Sequence, residues 1–220
     1  MSEANVVSGG GKARKVVVQL LLGGICGGLG MAASLWFFEG WSGAKVEPVQ
    51  ALAIGTALIF GLMGLIVGLG ALVPGVGART LNVEDREELE EQRSTLLIGA
   101  VTFILVAALV GVLSLSGGVN ATAILATREA TPIVAIIAVA LIVWSLIHRN
   151  RGDEMMRAAA KDAGVAAINL IFLVFGGWAG AAHLGLVPMF EPLLFVAGFF
   201  ALYLLAVFIA VGRRGLLTPR

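Results

Sequence analysis

The chain has 220 residues, of which 59% are hydrophobic and only 13% are charged, and its mean hydropathy is +0.98. Water-soluble domains carry about 25% charged residues, so this composition indicates a protein whose solvent is lipid. The formal net charge of +1 excludes a strongly basic chain of the kind that binds nucleic acid. A single cysteine, Cys26, excludes an internal disulfide.

Charged residues divide the chain into six apolar segments, each long enough for one helix across the bilayer. About 20 apolar residues suffice for such a helix, and the segments lack the alternating pattern of barrel strands. The sequence therefore predicts an all-α integral membrane protein with six transmembrane helices arranged as three hairpins. The predicted spans, numbered 1 to 6, are residues 16–38, 50–73, 95–116, 131–148, 164–185 and 192–212. They form one transmembrane domain, 16–212, between the tails 1–15 and 213–220.

The distribution of positive charge predicts the orientation, because Lys and Arg concentrate in cytoplasmic loops. Thirteen of the 15 Lys and Arg residues lie in the two tails and near the loops after spans 2 and 4. Only Lys45 and Arg128 lie in the alternate loops. We therefore expect both tails in the cytoplasm. Short loops without organelle signals favour a prokaryotic plasma membrane.

Span 1 follows a basic segment, as a secretory signal does. Its apolar run of 23 residues exceeds the roughly 7–15 residues of signal peptides, so we expect an uncleaved anchor. Glycines four residues apart occur in three spans, and such faces let membrane helices approach closely. We predict helix packing at these positions, with a glycine-lined pore as the alternative: Gly23, Gly24, Gly27, Gly28, Gly64, Gly68, Gly176 and Gly180.

The segment "LNVEDREELEEQRSTLL", residues 81–97, is strongly acidic. Asn82 and Asp85 are spaced as an N-cap and an acid in the first turn. No Gly or Pro interrupts the run from Val83 into span 3, so we predict one helix of about 35 residues that extends into the cytoplasm. Its acids are either a solvated face or a contact for a partner: Glu84, Asp85, Glu87, Glu88, Glu90 and Glu91.

Span 5 is predicted to extend in the same way. We name residues 84–93 the first foot and residues 152–164, "GDEMMRAAAKDAG", the second foot. If the two feet pack together or bind a partner, the second foot would use an apolar seam of Met155, Met156, Ala159 and Ala163. Pro48, Pro132 and Pro192 are expected at the starts of spans 2, 4 and 6, where the missing N–H has no helical carbonyl to bond. No proline falls within a span, which predicts continuous helices.

The spans contain no Asp, Glu, Lys or Arg, which makes proton or ion coupling a poor fit. Gln19 and Asn169 are candidates for a polar pair between spans 1 and 5. His148, at the end of span 4, has the position of an interfacial residue matched to the helix dipole.

Ser116 in "SLSGG" and His183 in "AHLG" resemble the motifs of rhomboid intramembrane proteases. The resemblance implies Ser116 as a nucleophile and His183 as its base. This sequence departs from the family pattern, since Ser114 stands where rhomboids have glycine and no histidine precedes His148.

The sequence thus predicts no catalytic residue, cofactor or metal ligand. The favoured function is non-enzymatic: an accessory, scaffold or assembly subunit in the lipid bilayer, bound to other membrane subunits or to copies of itself. The alternative is a small permease or transporter for an uncharged solute or lipid. An intramembrane serine protease is the third hypothesis.

Overall fold

The computed structural model describes residues 32, 36, 40, 46–73, 75, 77, 86–116, 125–148 and 154–214. The chain divides into two compact units, Met1–Val46 and Glu47–Arg220. In the first unit, Ala32, Trp36 and Gly40 are helical and exposed. Most of predicted span 1, including Cys26 and the four glycines predicted to pack, lies outside the described residues.

Five helices of the second unit are long and apolar enough to cross a membrane. Span 5 begins as an α-helix, continues as a π-helix and ends as an α-helix. Across the described residues the structure is helical and contains no β-strand, which confirms the prediction of a membrane-type, all-helical protein. The helices are Pro48–Leu72 (span 2), Arg86–Leu115 (span 3), Thr127–His148 (span 4), Glu154–Ile171 with Phe172–Gly176 and Gly177–His183 (span 5), and Pro192–Arg213 (span 6).

Two of these helices begin at a proline, as predicted. A third helix contains one proline inside it. Pro48 and Pro192 are at the helix starts. The span 4 helix begins at Thr127, so the prediction that Pro132 starts it was wrong. A proline this close to the start removes only one helical hydrogen bond, and the Thr131 hydroxyl donates to the carbonyl oxygen of Thr127 at 2.7 Å.

Spans 2 and 3 pack antiparallel along small residues. Gly64 makes a close approach: a Cβ at this position would lie 2.7 Å from Ile104 Cγ1 and 3.0 Å from the carbonyl oxygen of Ala100. Farther along the same interface, Gly111 of span 3 lies against Ala57 of span 2. Glycine permits this contact because no side chain separates the two backbones.

Alanines form the equivalent interface between spans 5 and 6. Asp162, near the beginning of span 5, forms an ion pair of 2.5 Å with Arg214 just beyond the end of span 6. At the other end, the Phe175 ring lies against Gly198, so the two spans are antiparallel. The buried alanines are Ala159, Ala163 and Ala167 of span 5 and Ala197, Ala206 and Ala210 of span 6.

The π-helix Phe172–Gly176 departs from the predicted regular helix of span 5. Within it Phe175 is buried, whereas Phe172 is 77% exposed. A Cβ on Gly198 would lie 2.5 Å from Cζ of Phe175, so the ring fills space that only glycine leaves free. The wider turn of the π-helix thus coincides with a close contact between spans 5 and 6.

The core is formed by spans 2, 3 and 6. Its buried residues are Ala53, Phe60, Val106, Val110 and Ala197. The Phe60 ring packs against Phe103 at 5.7 Å and Phe200 at 6.1 Å between ring centroids. Span 4 contributes only a partly buried leucine to this cluster and packs on the side of span 3.

Candidate intramembrane binding cavity

A cavity of about 770 Å³ lies between spans 3, 4 and 6, and Phe60 of span 2 contributes to its wall. The cavity forms because span 4 packs on span 3, whereas span 6 packs mainly on spans 2 and 5. Spans 4 and 6 make no extensive contact with each other in the part of the chain that the structure describes. The volume is within the roughly 300–1,000 Å³ of small-molecule sites.

Most of the cavity wall is aliphatic or aromatic. Phe60, Phe103 and Phe200, which pack in the core, continue into the wall together with Val106 and Leu141. None of the described wall residues is Asp, Glu, Lys or Arg. A charged ligand would therefore lose its hydration without meeting an Asp, Glu, Lys or Arg side chain in the described wall, which disfavours its binding. The wall favours an uncharged molecule.

Polar side chains gather where span 4 ends. His148 is the last residue of that helix, Trp144 precedes it by one turn, and both line the cavity together with Ser145. The Trp144 indole Nε1 donates a hydrogen bond of 3.4 Å to the carbonyl oxygen of Ile98 on span 3. Tyr203 of span 6 contributes a phenol to the same wall. One apolar cavity therefore carries several polar groups from two helices.

The His148 ring is held by its own helix. Its Nδ1 lies 2.9 Å from the carbonyl oxygen of Trp144, and its ring centroid lies 4.1 Å from that of Trp144. A carbonyl oxygen can only accept, so Nδ1 carries the hydrogen of this bond. In the neutral ring, Nε2 is then an acceptor.

Several other hydroxyl groups in the spans are bonded within their own helices. Thr56 donates to Leu52, and Thr102, which lines the cavity, donates to Ile98. By contrast, the hydroxyls of Ser145 and Tyr203 make no hydrogen bond to the described residues. These two groups are free to bond a ligand.

The first foot is a continuation of span 3, and from Arg86 onward the helix is unbroken, as predicted. Leu89 is buried and lies close to Gly77, so this part of the foot is fixed to the chain that follows span 2. Glu87, Glu90 and Glu91 are exposed. The side chain of Glu88, together with Glu84 and Asp85, lies outside the described residues.

The second foot packs on span 6. Ala159 and Ala163 of the predicted seam are buried there, whereas Met155 and Met156 are exposed at 47% and 41%. The two methionines of the seam therefore stay a prediction, and Asp162, next to buried Ala163, forms its ion pair with Arg214.

The predicted packing glycines have different surroundings. Gly64 and Gly68 both face span 3, where Gly68 lies against the Ala100 side chain. Gly176 lies beside the Phe172 ring of its own π-helix, and nothing within 4 Å would meet a Cβ on Gly180. Glycine pairs with the same four-residue spacing thus lie in three different environments: against another span, beside a ring of the same helix, and in open space.

The residues of the protease hypothesis lie on spans 3 and 5. The Ser116 hydroxyl donates to the carbonyl oxygen of Leu113 at 2.9 Å, and His183 is exposed at the end of its helix. Within the described ranges no hydrogen bond joins Ser116 to His183. Asn169 is exposed, and its suggested partner Gln19 lies outside the described residues.

The cavity was not predicted from the sequence, although the sequence contains two signals for it. Trp144 and His148 are four residues apart and so share one face of span 4. Tyr203 is the single tyrosine of the chain and lies within an apolar helix. Neither signal reveals that the two helices face each other across a gap.

The helices and the cavity define the class of this protein: helical, of membrane type, with an apolar cavity between its spans. No family model, curated protein or solved structure matches the chain in comparisons with known proteins.

Proposed function

We propose that this chain is a six-span membrane protein, arranged as three hairpins, with both tails in the cytoplasm and both feet extending there. The loop charges support this orientation, since 13 of 15 Lys and Arg residues lie on one side of such an arrangement. The five apolar helices of the second unit support the membrane location.

Within this arrangement the protein acts as a small permease or carrier for an uncharged, largely apolar molecule, such as a lipid. The observation that carries this proposal is the cavity of about 770 Å³ between spans 3, 4 and 6, whose described wall has no carboxylate, ammonium or guanidinium group. Span 4 has its main packing on one neighbour, so a ligand can enter from the bilayer between spans 4 and 6.

A matched pair of substitutions on span 4 tests this function. Ile142 lines the cavity, whereas Ile136 is exposed on the same helix and is not part of the wall. Ile142→Trp should place a larger side chain in the cavity and obstruct it, and Ile136→Trp should add the same side chain on the lipid side. The lipid that copurifies with each variant is quantified per mole of protein by mass spectrometry.

The wild type and Ile136→Trp should retain one bound molecule in equal amount, and Ile142→Trp should lose most of it. Equal retention by all three proteins would reject the cavity as a binding site. Thermal unfolding in detergent identifies any loss that is due to a damaged fold.

The accessory-subunit hypothesis remains a second proposal, favoured by the first foot. Buried Leu89 fixes this foot while Glu87, Glu90 and Glu91 stay exposed, so their carboxylates can meet a basic partner surface. Crosslinking in native membranes followed by purification tests it. Reversal of Glu87, Glu88, Glu90 and Glu91 to Lys should abolish a stoichiometric partner, and an unchanged set of crosslinked proteins contradicts the proposal.

A further inference from the structure

We infer that the molecule in the cavity is an amphiphile with an uncharged hydroxyl head group and a long apolar tail. Its head group would lie at His148 and Tyr203 and its tail along the aromatic wall. This inference rests on the proposed binding function and adds the chemical class and the orientation of the ligand.

Apolar contact alone cannot select such a molecule. Lipid tails are as apolar as the cavity wall, so moving a hydrocarbon chain from the bilayer into the cavity gives little hydrophobic free energy. A preference for the cavity must come from shape and from polar groups that the bilayer core lacks. Here those groups are the side chains at the end of span 4 and on span 6.

His148 supplies an acceptor at this end. Because Nδ1 donates to the carbonyl oxygen of Trp144, the neutral ring presents Nε2 as its remaining polar atom. Contact with the tilted Trp144 ring also holds the His148 ring in this orientation. A hydroxyl head group can donate its hydrogen to Nε2, whereas an ionised carboxylate has no hydrogen to donate.

Tyr203 and Ser145 supply groups that both donate and accept, and their hydroxyls have no bond to the described residues. A ligand hydroxyl in the cavity can therefore donate to Nε2 of His148, and it can accept from the hydroxyl of Tyr203 or Ser145. A carboxylate would meet no Lys or Arg side chain in the described wall, and an alkane would make neither bond. An alcohol matches both polar groups.

The rest of the wall accommodates the hydrocarbon tail of the ligand. From the polar end, Phe103, Val106, Leu141 and Phe200 continue the cavity without an ionisable group. These residues also belong to or pack against the buried core, so that part of the wall is held by spans 2, 3 and 6. The tail of the amphiphile would lie along this surface.

Three radiolabelled probes of equal chain length test the inference: hexadecanol, hexadecane and hexadecanoic acid. Binding to the full-length purified protein is measured by a scintillation proximity assay in one detergent, and the signal of Ile142→Trp is subtracted as the background of detergent partition. We expect hexadecanol to bind about five- to tenfold more tightly than hexadecane, the ratio that one to two net hydrogen bonds provide. Hexadecanoic acid should also bind more weakly than the alcohol.

Two variants test whether the preference for hexadecanol over hexadecane comes from the polar end of the cavity. Tyr203→Phe removes only a hydroxyl, and His148→Phe keeps a ring against Trp144 while removing both nitrogens. Each should weaken hexadecanol binding several-fold and leave hexadecane binding unchanged. The inference is overturned if the alkane or the acid binds as tightly as the alcohol, or if the alcohol preference survives in both variants.

The result also separates this inference from the proposed function. If no probe binds the wild-type protein more tightly than it binds the Ile142→Trp variant, the proposed binding function fails for alkyl compounds of this length. If all probes bind equally and only Ile142→Trp abolishes binding, the cavity function stands and the hydroxyl head group is rejected.

Discussion

Gly64 sets the distance between spans 2 and 3. A Cβ there would lie 2.7 Å from Ile104 Cγ1 and 3.0 Å from a backbone oxygen, and backbone cannot move aside as a side-chain end can. We therefore expect Gly64→Ala to lower the free energy of unfolding by about 1–3 kcal/mol, the usual cost of overpacking. Thermal and denaturant unfolding in detergent measure the change.

Gly99 is the matched control for this substitution. It also lies within a helix, in span 3, and nothing within 4 Å would meet its Cβ. Gly99→Ala should be neutral or stabilise the protein by up to about 1 kcal/mol, because alanine restricts the unfolded chain. Equal effects of the two substitutions would mean that the interface does not depend on Gly64.

For single residues, the sequence predicts that glycines allow close contact between helices, but it does not identify the residue that each glycine contacts. Gly64 and Gly180 occur in glycine pairs of the same spacing, yet Gly64 meets Ile104 and Gly180 meets nothing within 4 Å. The difference depends on which face of each helix turns toward another helix. That choice involves residues about forty positions away and has no local signal.

At the scale of helices, Phe175 connects the π-helix of span 5 to span 6. Its ring packs edge-on against Phe190 at 5.3 Å and Phe195 at 5.0 Å. Because each aromatic pair contributes about 0.5–1.5 kcal/mol, Phe175→Ala should destabilise the protein by about 1–3 kcal/mol. Phe172→Ala is the control, since Phe172 lies in the same π-helix and is 77% exposed.

The unfolding temperatures of Phe175→Ala and Phe172→Ala can be compared by thermal unfolding followed by tryptophan fluorescence. The nearby Trp178 indole donates to the carbonyl oxygen of Pro188 at 2.9 Å and its ring packs on Phe190. Because Phe190 packs on both Phe175 and Trp178, loss of the Phe175 ring should also change the Trp178 emission. An unfolding temperature that falls equally in both variants would show that the π-helix does not depend on its contact with span 6.

The ion pair between Asp162 and Arg214 joins the second foot to the end of span 6. Both side chains are partly exposed, at 59% and 31%, so we expect a coupling of only about 0.2–1 kcal/mol in a double-mutant cycle with Asp162→Asn and Arg214→Gln. Raising the salt concentration should weaken the coupling. A coupling that does not change with salt would contradict a solvent-exposed pair.

Helix positions follow from the sequence better than helix shape does. Charge-free segments predict five of the described helices because hydrocarbon excludes ionised side chains over the whole length of a span. The start of span 4 was misplaced by four residues because a proline is tolerated near a helix start as well as at it. The π-helix was not predicted, since it coincides with a fit between Phe175 and Gly198 of another span.

At the scale of the whole molecule, the cavity could not be predicted because it depends on relative helix positions. Trp144 bonds span 4 to the backbone of span 3, and Phe200 packs span 6 on Phe60 of span 2. These two contacts leave a space that neither helix fills. The residues that line it look like ordinary apolar and interfacial residues when the spans are considered one at a time.

The proposed orientation can be tested by labelling single cysteines, because the chain contains only Cys26. In a Cys26→Ser background, Glu90→Cys adds a thiol on the exposed first foot, and Met189→Cys adds one to the exposed segment between spans 5 and 6. If the positive charges hold the feet in the cytoplasm, a membrane-impermeant maleimide should label Met189→Cys in intact cells and Glu90→Cys only in inverted vesicles. Labelling of both residues from the same side would require an even number of crossings between them, instead of the three that spans 3, 4 and 5 provide. Labelling of Glu90→Cys alone in intact cells would reverse the orientation and would place the polar end of the cavity, which lies beside His148, at the outer leaflet.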